Sequence, residues 1–350
     1  MKNAYLILTD LHYDVSKEHR LNYFDEVLSI IEQVIAIGEK YKARGYNTHL
    51  YFLGDVVDSS LSFAEDAMRC QDLFSYISTE FTSVCSVLGN HEENNITNNP
   101  FWYLVSSLED EELSALPRPL QPKGIHTCIG VPAIREDGNV TFFFNHYGIP
   151  AKVPVRCEGK VNIGLFHQNV GSNDICKMWG TFVDVEQASF VHPYDYCFFG
   201  HMHLAEGKYK LNESGTCIGE WLGSCVGTTV REVQELNSSF NVPTVLVDDG
   251  VFLCVEENRV NRSIPDAVID FTKLQLTQQH NKLLGEVKQL VMRDMSVHTL
   301  YERIKESADD NGMGFLVDML SKEYDGLKHE YRLALKNTVG LEVENSGTGH

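Results

Sequence analysis

Apolar residues fall along this chain in two textures, and the change comes at Pro265. Up to about Val260, short apolar runs alternate with amphipathic stretches. Ala4–Thr9, His49–Leu53, Val84–Leu88, Val161–Phe166 and Tyr196–Phe199 have the length and content of buried strands. Tyr23–Arg44 and Ser62–Glu80 instead repeat apolar residues every three or four positions, which predicts helices. Asp248-Asp249-Gly250, set between Val245-Leu246-Val247 and Val251-Phe252-Leu253, predicts a hairpin. Beyond Pro265, Leu283, Leu284, Val287, Leu290 and Val291 keep helical spacing, as do Leu316, Met319, Leu320, Leu327, Tyr331 and Leu335. Ser296 and Asn311-Gly312 punctuate them. The patterns predict an α/β domain over 1–260, a helical region over 265–339 and a loose tail over 340–350.

Composition narrows the class. With 43% hydrophobic and 22% charged residues the chain is globular rather than disordered. No run approaches the ~18 apolar residues of a membrane helix. Met1-Lys2-Asn3 leads straight into an apolar strand without a signal-peptide cleavage site, so a protein that stays where it is made is expected. The nine cysteines include no CxxC pair, which fits a reducing cytoplasm. A formal net charge of −20, most of it before Pro265, excludes a broad basic face for coating nucleic acid.

The chemistry lies where strands end. The five runs lead into Asp10-Leu11-His12, Gly54-Asp55-Val56-Val57-Asp58, Gly89-Asn90-His91-Glu92, His167 and Gly200-His201-Met202-His203. Loops at the carboxyl ends of strands in a helix-covered sheet converge, so distant segments can meet at one point. They bring Asp10, His12, Asp55, Asn90, His167, His201 and His203, an oxygen and imidazole set without thiolate. Such a set suits manganese, iron or zinc in a hydrolytic centre, with magnesium also open. Seven ligands exceed what one ion with open positions needs and match two, so one carboxylate must bridge. Asp55, in the tightest Gly-flanked turn, is the candidate. Two ions ~4 Å apart would suit an in-line phosphoryl displacement. His91 is left over as a general acid for the leaving oxygen. His126, His146 and His192 read as satisfied or surface imidazoles, and Trp102 and Trp221 as packing residues, with a substrate-loop role open for Trp221. Lys152, Arg156 and Lys160 make the one modest basic cluster near the site, read as a solvated loop.

The ordered blocks D-L-H, G-D-V-V-D, G-N-H-E, a lone His and G-H-M-H resemble the calcineurin-like metallophosphoesterase superfamily. A single D-x-H is worth little; the ordered set is specific. The resemblance implies an α/β fold with a two-sheet β-sandwich flanked by helices, here with a C-terminal helical appendage. It implies Asp10, His12, Asp55 and His203 around one metal, Asp55, Asn90, His167 and His201 around the other, and His91 as the acid. The Arg-Gly that follows the second block in protein phosphatases is replaced by Ser59-Ser60.

The layout is similar to SbcD-type recombination nucleases of bacteria and their phages. It carries N-terminal metal blocks, a Gly223-Ser224 pair after the last block, and C-terminal helices that in that family dock on an SbcC-type SMC-like ATPase. That likeness implies a manganese-dependent DNA nuclease subunit, a homodimer, and residence in a bacterial or phage-infected cell. Net charge pulls against DNA, since phosphate contacts come from Lys and Arg. Two other functions stay open: a phosphodiesterase or phosphatase on small nucleotides or phosphorylated ends, and a catalytically silent scaffold that binds a partner through its helices.

Overall fold

The structure, a computed structural model, describes residues 1–14, 17, 20–58, 64–93, 99–108, 127–149, 151, 158–168, 170–171, 183–184, 191, 193–211, 216–263, 269–270, 277 and 282. Strand β1 (Lys2–Leu8) shows how it is built. Ala4, Leu6 and Leu8 face one apolar layer, while Tyr5 and Ile7 face another. A strand covered on both sides needs a continuous apolar run, which is what the sequence supplies.

The first sheet has seven strands in the order β16 (Val251–Glu256), β15 (Thr244–Asp248), β1, β2 (Asn47–Phe52), β3 (Ser83–Ser86), β5 (Ile129–Val131) and β4 (Val105–Leu108). From β1 to β4 the pairings are parallel, and the β15–β16 hairpin adds antiparallel to β1. The second sheet has six strands in the order β12 (Glu206–Lys210), β13 (Ile218–Leu222), β11 (Tyr196–Phe199), β8 (Val161–Phe166), β7 (Val140–Asn145) and β6 (Ile134–Asp137). Its four central strands, β13, β11, β8 and β7, are parallel. Two small pairs complete the set: β9 (Val170–Gly171) with β10 (Val183–Asp184), and β14 (Ser239–Asn241) with β17 (Arg259–Asn261).

Three apolar layers result. Helices α1 (Tyr23–Ala43) and α2 (Ala64–Glu80) cover the first sheet. Val27, Ile30, Ile31 and Val34 of α1, and Leu73, Phe74 and Ile77 of α2, pack onto it. Asp25 and Glu26 open α1 and Lys40 and Lys42 close it, each matching the helix dipole. Between the sheets lie Ile7, Tyr51, Leu53 and Val87 against Phe142, Phe144, Ile163, Leu165 and Phe198. On the far side of the second sheet, Trp221 stacks on Phe199 at 4.5 Å and its Nε1–H donates to the Val170 carbonyl. Trp221 is a packing residue, whose burial stabilises the fold by roughly 2–3 kcal/mol.

The two-sheet sandwich flanked by helices is the architecture expected, and each of the five predicted strands is present within two residues at either end. The sequence pattern did not single out β4 to β7, β12 or β13. None of the seven described cysteines forms a disulfide. No helix among the described residues is long and apolar enough to cross a membrane. The chain divides into two compact units, Met1–Asp270 and Phe271–His350. The helices expected over 265–339 and the tail over 340–350 lie outside the described residues apart from 269–270, 277 and 282. His126, His192, Lys152 and Arg156 also lie outside them.

Candidate metal centre

Five strands from the two sheets deliver their carboxyl ends to one place. β1 leads to Asp10 and His12, β2 to Asp55, β3 to Asn90, β8 to His167, and β11 to His201 and His203. Within this gathering the backbone is strained. Of the six described non-glycine residues with positive φ, four are Asp10 (48°), His12 (45°), Asp55 (47°) and His201 (74°). Side chains seldom tolerate that region, and such strain concentrates where function demands a particular aim. Glycines allow the close approach. At Gly54, with φ +95°, a Cβ would stand 2.7 Å from His167 Nδ1, and at Gly89 it would stand 2.1 Å from Asp55 Oδ1.

All seven predicted ligands are brought together, in two groups. In the first, ligand atoms of Asp10, His12, Asp55 and His203 lie within 4.8 Å of one another. His12 Nε2 and His203 Nε2 are 2.9 Å apart, and Asp10 Oδ1 lies 3.4 Å from His203 Nε2. In the second, Asp55, His167 and His201 gather within the same limit. Asn90 Oδ1 joins them, 2.8 Å from His201 Nδ1 and 3.1 Å from His167 Nε2. Asp55 belongs to both groups: its Oδ2 lies 3.2 Å from His167 Nε2 and 3.8 Å from His12 Nε2.

Hydrogen bonds fix which atoms face inward. Asp10 Oδ2 accepts from the Thr9 hydroxyl and the His201 N–H, while Oδ1, fully buried, accepts no hydrogen bond. An orphaned buried carboxylate oxygen beside two imidazole nitrogens fits a cation. His167 Nδ1 donates to the Leu53 carbonyl at 2.6 Å, which turns Nε2 toward the centre. His203 Nδ1 meets Glu232 Oε1 at 3.0 Å, with the same consequence for its Nε2. The donor set thus fits two divalent ions with Asp55 shared between them.

Electrostatics agrees. Burial works against the Asp10 and Asp55 charges, yet the imidazoles around them hold both carboxyls well below the usual range. Burial likewise opposes charge on His167 and His203. The carboxylates win, raising His167 to about 9 and His203 to about 10. Burial and the charged His167 instead push His201 down to about 4.

His91 stands beside the centre, its side chain 29% exposed. Nδ1 lies 3.1 Å from Asp58 Oδ1, so Nε2, 3.9 Å from Asp55 Oδ2, is the nitrogen turned inward. The bond to Asp58 raises the His91 pKa, against burial. Asp58 is in turn held by Lys17, which also pairs with Asp14.

Sequence reasoning did not assign a role to Asp58 or find Glu232. It placed Glu92 in the G-N-H-E block, behind the ligands rather than among them. Glu92 is fully buried and accepts from the backbone N–H groups of Asp55, Val56, Val57 and Gly89. One carboxylate therefore staples the β2 loop to the β3 loop, while burial and Asp55 push its pKa up to about 7. Trp102 holds the Glu92 carbonyl through Nε1. Ser224, of the Gly223-Ser224 pair, shares its hydroxyl proton between the Asp10 and Val226 carbonyls. His146 is buried, accepts from the Leu88 N–H and belongs to neither ligand group. Lys160 pairs with Glu136.

Solved structures with similar folds share little sequence. A 5'-nucleotidase precursor from Thermus thermophilus is 14% identical, with TM-score 0.40, over 83% of this chain and 60% of its own. A dimetal phosphatase from Danio rerio is 12% identical, with TM-score 0.43, over 75% and 99%. The calcineurin-like phosphoesterase YfkN from Bacillus subtilis is 15% identical, with TM-score 0.39, over 80% and 97%. The chain thus spans about three fifths of the nucleotidase. No curated protein sequence matches significantly. The family model described as calcineurin-like phosphoesterase matches residues 4–205, more than half of the 350, and takes in every block that builds the centre. The chain belongs to the calcineurin-like phosphoesterase family.

Proposed function

We propose that this protein hydrolyses small phosphate esters of nucleotide size at a dinuclear metal centre. The observation that carries the reading is Asp55 Oδ2, common to two groups of inward-facing nitrogens and oxygens. Asp10, His12, Asp55 and His203 would hold one ion, and Asp55, Asn90, His167 and His201 the other. Bound there, divalent ions supply Lewis acidity toward phosphoryl oxygens and make water a nucleophile near neutral pH. His91 carries a proton on Nε2 toward the leaving oxygen, and Asp58 keeps the ring aimed through Nδ1.

The electrostatic surroundings favour a small substrate over a polymer. Among the described residues, cations around the centre are engaged: Lys17 by Asp14 and Asp58, Arg20 by Glu26, Arg262 by Glu206. A net charge of −20 further disfavours a run of DNA phosphates. A DNA nuclease subunit docked on an SbcC-type ATPase, and a homodimer, are supported by sequence layout alone.

The test is turnover of p-nitrophenyl phosphate, bis-p-nitrophenyl phosphate, nucleotides and end-labelled DNA, each with manganese. Small esters turned over and DNA left whole is the expected result; DNA cut while small esters survive would overturn the substrate class. His91→Ala should slow esters with poor alkyl leaving groups about 10²–10⁴-fold. It should slow p-nitrophenyl esters far less, because p-nitrophenolate leaves without a proton.

A further inference from the structure

The first group of inward-facing atoms is braced from outside by one segment that no metal block contains. Ser224 N–H donates to the His203 carbonyl at 2.9 Å, and Ser224 Oγ shares its proton between the carbonyls of Asp10 at 3.0 Å and Val226 at 2.6 Å. Cys225 Sγ donates to the Thr9 carbonyl. Arg262, buried, grips the carbonyls of Ser224 and Cys225 from behind. The chain then enters helix α3 (Val230–Glu235), capped by Thr229.

Glu232, in the first turn of α3, divides its carboxylate between two tasks. Oε2 accepts from the Thr228 N–H at 2.8 Å, the Thr228 hydroxyl at 2.7 Å and the Thr229 N–H, closing the capping box. Oε1 is left for His203 Nδ1 at 3.0 Å. A helix cap needs one oxygen. The second is aimed at an imidazole whose Nε2 lies 2.9 Å from His12 Nε2 and 3.4 Å from Asp10 Oδ1.

We infer that Glu232 is a positioning residue for one of the two ions, fixing the ring orientation and tautomer of His203 from a cap that its other oxygen makes rigid. A carboxylate behind a ligand imidazole keeps the proton on Nδ1, frees Nε2 and makes it a better donor. The second group depends on no comparable side chain from α3, because His167 is oriented by the Leu53 carbonyl. Loss of Glu232 therefore weakens one ion and spares the other. The inference rests on the dinuclear reading of the site.

The test uses the full chain, stripped of metal and titrated with Mn²⁺ by calorimetry and by electron paramagnetic resonance, without substrate. Wild type should bind two ions. Glu232→Gln should weaken one of them about 10–100-fold, leaving the other within a factor of two. Thr229→Ala removes the cap's hydroxyl acceptor for Glu232 N–H without touching His203. It should lower thermal stability while leaving both affinities in place, which separates positioning from helix support. In a His203→Ala background, Glu232→Gln should cost no further affinity. Equal affinities for Glu232→Gln and wild type, or an undiminished loss in the His203→Ala background, would overturn the role of Glu232. A wild type that binds fewer than two ions would instead overturn the dinuclear reading beneath it.

Discussion

The two ends of the parallel strands surround histidine with different partners. At the amino end, His49 stacks on Tyr5 at 4.7 Å, hydrogen-bonds Ser83 Oγ, and has its pKa pushed down to about 4 by burial. Its neighbours form a closed polar network in which Asn3 and Tyr5 share Asp137. At the carboxyl end, the more deeply buried His167 and the partly buried His203 are pushed up, because Asp10 and Asp55 stand against them. Burial and the charged His167 beside it push His201 down to about 4. Burial alone neutralises an imidazole; a carboxylate held against it can outweigh burial and charge it. The first arrangement is complete as it stands, whereas the second keeps an orphaned Asp10 oxygen and histidines clustered around carboxylates. That contrast separates a structural polar cluster from a site built for cations.

The largest effect should come from the residue common to both groups. Asp55→Ala removes an oxygen that each ion would share, and ester hydrolysis should fall at least 10³-fold while the fold survives, checked by circular dichroism. Retained activity would break the contrast, since the carboxyl end would then need no bridge.

Next in size is Glu92→Gln. An amide can accept at only one of its two ends, so two or more of the four stapled N–H groups lose their acceptor. A loss of about 3 kcal/mol or more is expected in urea unfolding, because buried donors left unpaired are costly. A change below ~1 kcal/mol would mean that the loops hold their strained backbone without the staple.

The smallest effect sharpens the other side. With a folded pKa near 4 against 6.5 unfolded, His49 binds its proton more readily in the unfolded chain. Its contribution is complete above about pH 6.5 and drains away as pH falls toward 4. His49→Gln should flatten the wild-type loss of stability in that window, read as the difference between the two urea titrations. Parallel curves would show that His49 is not held neutral.

What the sequence revealed follows the same division. Ligands at strand ends were legible because each lies within a few residues of an apolar run, so Asp10, Asp55 and His167 announced themselves by position. Asp58 and Glu92 sat inside those blocks, but their partners were invisible: Glu92 acts on backbone N–H groups as far as 37 residues away. Glu232 lies 29 residues beyond His203 and carries no strand-end signal. The Thr229-x-x-Glu232 capping box marks a helix start but not the imidazole it faces. Strained backbone at Asp10, His12, Asp55 and His201 left no trace in composition, since short polar residues there read as ordinary turns. Strands β4 and β12 escaped notice for another reason. Val105–Leu108 and Glu206–Lys210 are rich in polar residues at a sheet edge and carry no apolar run.

The most direct test of the central claim is a count of ions and protons by calorimetry. Metal-free protein is titrated with Mn²⁺ near pH 7 in buffers of different ionisation enthalpy. His167 and His203, raised to about 9 and about 10, hold protons that ligation must expel. The structure predicts two ions per chain, about two protons released, and affinity that rises with pH. One ion, or none, bound without proton release would contradict a dinuclear centre at the carboxyl ends of these strands.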